Sequence, residues 1–102
     1  MQVLMDFQDR AIRLTDERRR HIAGPADPRG VVQAIRDTLQ HPDEMQEAFR
    51  HPQMRLFYRL YSHRMEDDRV FYVVVKVRGY DMLVVTAFYG RNFSWGGARW
   101  KV

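Results

Sequence analysis

The sequence contains no cysteine, which excludes a disulfide framework, a thiolate nucleophile and every cysteine-based zinc site. No apolar run approaches the roughly 18 to 20 residues that a helical bilayer span requires, so no membrane partner is expected. The start, Met1-Gln2-Val3-Leu4-Met5-Asp6, has neither the basic residues nor the apolar stretch of a secretory signal, and a cytoplasmic location follows as the expectation. Internal repeats and low-complexity tracts are missing. Walker, Rossmann, GxSxG and HExxH patterns are missing as well. Lysine is scarce: fifteen of the seventeen basic residues are arginine.

What is present has a globular balance, with 45% hydrophobic and 29% charged residues over 102 positions, enough for one domain spanning 1–102. The net charge is +4 and the isoelectric point is near 9.8. Guanidinium groups grip phosphate with a planar pair of donors and stack on bases, so the arginine bias suits a nucleic-acid partner. Codon usage in a GC-rich genome produces the same bias.

Segments 2–7 and 11–14 are each compatible with a strand. Thr15 is a plausible N-cap, with Asp16 and Glu17 in the first turn, where the helix dipole favours negative charge. That helix runs to Ala23 and stops at Gly24-Pro25. Asp27-Pro28 restarts a helix, in which Val31, Ile35 and Leu39 form a stripe widened by Val32, Ala34 and Thr38. Beyond His41-Pro42 the period changes to two. A short strand at 45–49 is followed by strands at 54–62, 69–77 and 82–89, with a final edge strand at 98–102. The connections are short, as in an antiparallel meander. The expected fold is therefore α+β: two N-terminal helices, then a curved antiparallel sheet of about four strands.

Alternation sorts each strand into two faces. Met54, Leu56, Tyr58 and Leu60 oppose Arg55, Phe57, Arg59 and Tyr61. In the next strand Phe71, Val73, Val75 and Val77 oppose Tyr72, Val74, Lys76 and Arg78. If both apolar sets cover the helices, Arg55, Arg59, Tyr61, Tyr72 and Lys76 share the open face. Charge for phosphate and rings for bases on one sheet is the pattern of single-stranded RNA binding. A merely solvated face carries Arg and Tyr too. Thr86 falls on the Lys76 face if the turn at Gly79 has three residues, and in the core if it has two.

His41 and His51 precede prolines at element ends, and His63 sits in an acidic turn. No pair of histidines has metal-ligand spacing on one element, so neither a metal nor another cofactor is expected. His21, after three arginines, reads either as an exposed helix-end residue or as a general acid or base beside a cationic surface. The glycine cluster at Ser94-Trp95-Gly96-Gly97 follows no strand-to-helix turn. Trp100 reads as a core residue or as the mark of a homodimer edge.

The order of several short pieces resembles the phage-associated branch of the barnase–EndoU–colicin–RelE-like (BECR-fold) nucleases. They are Arg-Arg-His-Ile at 19–22, Thr-Leu-Gln-His-Pro-Asp-Glu at 38–44, Leu-Phe-Tyr-Arg at 56–59, Val-Val-Val-Lys at 73–76 and Val-Val-Thr-Ala at 84–87. The resemblance spans roughly 14–89. It implies a small metal-independent endoribonuclease or toxin-like domain, with RNA as substrate and a cognate antitoxin or immunity protein as a possible partner. On the matching positions it makes His21 the acid or base, Arg59 and Lys76 the phosphate holders and Thr86 a hydrogen-bonding partner. Arg55, Phe57, Tyr61 and Tyr72 would then bind the RNA. Tyr58 matches the strand motif but alternates onto the core side. Two departures stand out. Phe88 occupies the place expected for tyrosine, with Tyr89 next to it, and Gly24-Pro25-Ala26-Asp27 follows where His-Pro-Glu is expected. The rival readings are a non-catalytic module binding RNA or protein through the same face, and a small protein whose exposed face is simply solvated.

Overall fold

A β-hairpin, rather than a helix, opens the chain. The computed structural model describes residues 1–47, 53–60, 70–90 and 99–101. In it β1 (Gln2–Met5) pairs antiparallel with β2 (Ala11–Leu14). Asp9 takes a positive φ of 59° in the connecting turn, a conformation that a short polar side chain tolerates better than most. The order continues α1 (Asp16–Ala23), α2 (Val31–Gln40), β3 (Glu44–Glu47), β4 (Met54–Leu60), β5 (Val70–Arg78), β6 (Asp81–Gly90) and β7 (Arg99–Lys101).

Both helices start from identifiable caps. Thr15 Oγ1 accepts from the Arg18 N–H at 3.2 Å. The second cap acts at longer range than expected. The proline at 28 stays outside α2, Gly30 takes a left-handed φ of 63°, and the Asp27 carboxylate reaches forward to the Val31 and Val32 N–H groups at 2.6 and 3.2 Å. Those amides would otherwise have no partner in the first turn. In α2 the residues Ala34, Ile35, Thr38 and Leu39 are buried, the inner part of the anticipated stripe.

The sheet corrects the fold expected from the sequence. Among the described residues it has seven strands in the order β1-β2-β6-β5-β4-β3-β7, not about four, and it does not simply follow the helices, because the N-terminal hairpin belongs to it. It is mixed, not purely antiparallel: β2 lies parallel to β6, with Arg13 opposite Leu83. The Arg13 guanidinium grips the Asp81 carboxylate at 2.8 and 2.6 Å, which raises its pKa first through those hydrogen bonds and then through charge. Four-residue strands hold too few alternations to be told from loops by period. β3 is harder still, since Glu44 and Gln46 are buried there despite being polar.

The main core lies between the helices and one sheet face. It gathers Leu4, Ile12 and Leu14 from the hairpin, Ile35 and Leu39 from α2, and Phe57, Phe71, Val73, Val75, Met82 and Val84 from the long strands. A second cluster, Leu56, Tyr72 and Val74 with Met54, Tyr58, Val70, Val85 and Phe88, occupies the opposite face. Phe71 through Val75 are accordingly all buried, as in a central strand covered on both sides. Thr38 is fully buried and its hydroxyl has no hydrogen-bond partner. Thr38→Val removes that unmet group at nearly constant volume and is expected to raise the unfolding free energy by about 1 kcal/mol, read from urea denaturation. A loss of stability would show that the hydroxyl is satisfied.

Candidate nucleic-acid interface

The register of β4 divides the residues that the sequence grouped together. Phe57 lies opposite Val73 and Leu56 opposite Val74, so the Phe57 side of β4 faces the helices and the Leu56 side faces away. This is the reverse of the arrangement expected from alternation. Phe57 is 0% exposed, set edge-on against Phe7 at 6.2 Å. No base can stack on it. Tyr72 does face away from the helices but is buried too, stacked on Phe88 at 5.3 Å and tilted against Tyr58 at 5.7 Å. Tyr61 lies outside the described residues, as do His51, His63 and Trp95.

Arg55 and Arg59 therefore flank the main core instead of an open face. The half-buried Arg59 sends a guanidinium N–H to the Asp37 carbonyl at 3.5 Å, beside the His41 N–H that bonds the same oxygen at 2.8 Å. It helps close the C-terminal end of α2. Arg55 lies in the field of Arg10, Glu47 and Asp6. Burial, and after it the charge of Arg10, push its pKa down, while Glu47 and Asp6 pull it back. Its Nε is buried without a hydrogen-bond partner.

Lys76 and Thr86 stand on the other face, both half-exposed. The route by which Thr86 arrives there is neither of those anticipated. The turn has two residues, Gly79 and Tyr80, since Arg78 pairs with Asp81. Gly79 supplies the positive φ of 57° that the first position of such a hairpin turn can require. A β-bulge then shifts the register between Val74 and Val75, so that Val75 faces Val84 while Val74 faces Thr86. The extra residue turns Thr86 from the core to the Lys76 side. The proposed quartet is thus parted by the sheet. Lys76 and Thr86 are on one side; Arg59, with α1 and its exposed His21, is on the other.

A different set of side chains converges on the helix side. A cleft of about 460 Å³ opens between the α1–α2 connection and the ends of β5 and β6, lined by Ile22, Gly24, Pro28, Arg29, Phe71 and Tyr89 among others. The volume lies in the range of small-ligand sites. Phe71 and Tyr89 meet edge to face at 4.7 Å, and Tyr89 remains 38% exposed. Arg29 is exposed in the same lining, and Arg18, Arg20 and His21 are exposed on α1, which leads into it. Sequence reasoning missed Arg29 because it lies in a connection, outside any periodic element. It noted Tyr89 but had no means of placing it. The usable signal is that Tyr89 alternates with Ala87 and not with Thr86.

Among the described residues no cluster of three or more His, Asp or Glu is placed to hold a metal ion, and no helix is long and apolar enough to cross a membrane. What the geometry defines is a mixed sheet carrying one helical layer, with an aromatic, arginine-edged cleft at the junction of the two. No family model, no curated protein and no solved structure matches this chain.

Proposed function

We propose that the protein binds single-stranded RNA through the cleft between the α1–α2 connection and the end of β6, and does not cut it. The observation that carries this reading is that a partly exposed ring, Tyr89, and an exposed arginine, Arg29, line one cleft. A ring offers a stacking surface to any base, and an arginine holds the adjoining phosphate. The exposed basic residues of α1 extend the positive surface along a strand of RNA. A cytoplasmic location accords with such a partner. Against catalysis stands the separation of Lys76 and Thr86 from His21 and Arg59, since general acid–base chemistry needs its groups within hydrogen-bond reach of one phosphate.

A second reading, a metal-independent ribonuclease with an antitoxin partner, is favoured by one feature. His21, exposed on α1, immediately precedes Ile22, which lines the cleft together with Arg29. One experiment separates the two. A labelled mixed-sequence single-stranded RNA is titrated with protein in EDTA, across a salt series, and recovered for length analysis. We expect intact RNA and salt-sensitive binding. Arg29→Ala should reduce the magnitude of the salt slope by about one, and Tyr89→Ala should weaken binding by about 1–3 kcal/mol. RNA cut in the chelator by the wild type but not by His21→Ala would establish the second reading. Loss of binding in Lys76→Ala, with both cleft variants unaffected, would overturn the cleft and return the site to the far face.

A further inference from the structure

The outermost strand of the sheet on one side is β1, and its exposed surface is apolar. Among the described residues five large hydrophobic side chains are exposed, and three of them are Met1, Val3 and Met5, at 67%, 52% and 40%. Val3 and Met5 project from the face opposite the buried Leu4. A free strand edge is a template for pairing, and proteins normally guard one with charge, proline or a bulge. Gln2–Met5 carries none of these. The other edge strand, β7, has Arg99 and Lys101 in three residues.

We infer that β1 is an interface for a second copy of this chain, joined antiparallel so that the two sheets become continuous. Charge permits that occupant, and the strand's self-complementarity selects it. Two copies of a protein with net charge +4 repel wherever their basic surfaces meet, but the charges beside β1 are already paired. Arg10 bonds Asp6 at 2.9 Å and Arg13 bonds Asp81 at 2.6 Å. The edge is therefore a neutral border on a basic molecule. The strand also complements itself. With Leu4 opposite Leu4 of the copy, Val3 falls opposite Met5 and Met5 opposite Val3 on the exposed face, so apolar meets apolar across the two-fold axis. The backbone ladder adds its hydrogen bonds to this. Four residues make a ladder of about 13 Å, so the dimer is a weak and concentration-dependent one. Trp100, the dimer-edge candidate in the sequence, lies on the opposite margin in β7, so this dimer leaves it aside.

Sedimentation of the intact chain over a concentration series tests the inference. The average mass should rise from 12.3 kDa toward twice that value. Amide exchange at Gln2–Met5 should slow as concentration rises while exchange within β5 does not change. Val3→Lys and Met5→Lys place like charges across the axis and should each weaken the dimer at least about tenfold. Tyr80→Lys, which adds the same charge at a fully exposed hairpin tip, should not. Because Val3 is itself exposed, the lysine variants are expected to stay folded, and the melting temperature verifies it. A protein that remains monomeric throughout would overturn the inference. So would a dimer that survives both β1 variants, or one that Tyr80→Lys weakens as much.

Discussion

Phe57→Ala is expected to lower the unfolding free energy by about 3–5 kcal/mol, the loss for emptying a fully buried aromatic site. The ring is 0% exposed and sits where the hairpin turn, through Phe7, meets the long strands. Phe57→Leu keeps most of the apolar volume and should cost about 1–2 kcal/mol. Urea denaturation measures both, and RNA titration of Phe57→Leu completes the test. If the protein binds RNA as proposed, the leucine variant should bind it like the wild type, because Phe57 acts through the core and not through bases. A variant that kept full stability yet lost binding would place the ring on an exposed face and reverse the β4 register.

Asp6→Ala carries the second large effect. The carboxylate is 3% exposed and accepts from the Gln8 N–H, the Arg10 N–H and the Arg10 guanidinium, each at 2.9 Å. It closes the hairpin turn and also balances a pair of arginines, Arg10 and Arg55, each with a buried nitrogen that has no hydrogen-bond partner. Removing one member of a buried ion pair typically costs 3–5 kcal/mol, because the other charge is stranded. The Arg10 side chain is 31% exposed, so water recovers part of that, and a loss of about 2–3 kcal/mol is expected. For a domain of this size the melting temperature should fall by about 8 °C or more. Asp6→Asn retains an acceptor for the turn amides but not the charge, and should lose roughly half as much. A change within about 0.5 kcal/mol for Asp6→Ala would show that the turn and the arginines hold themselves.

The folding elements were legible where a local rule has one outcome. Thr15 before Asp16-Glu17 caps α1, and the 3.6-residue stripe of α2 buries Ala34, Ile35 and Leu39. The long strands also lie near their expected places, and the connection at Gly79 is a tight turn. The hairpin in front of the helices was visible as two segments, but not as part of the sheet. Its partner β6 is some seventy residues away in sequence, and nothing local announces the parallel join at Arg13 and Leu83. Of the candidate site, Arg29 was invisible for want of a periodic element to locate it. Tyr89 could be assigned a face only after the bulge at Val74/Val75 was known.

The sequence by itself determined α1 with its Thr15 cap, the buried stripe of α2 and the alternation of the long strands, because those depend on neighbours within four residues. Tertiary structure alone decided which side of β4 looks inward. Alternation separates a strand into two sets, and it assigns them to core and solvent where one sheet face is wet. Here Leu56, Tyr72 and Val74 are buried on the face away from the helices, while Phe57, Val73 and Val75 are buried beneath them. With apolar partners waiting on both sides, the choice falls to the pairing of whole strands. That pairing put Phe57 in the core, carried Arg55 and Arg59 to its margin, and left Lys76 and Thr86 on the far side of the sheet.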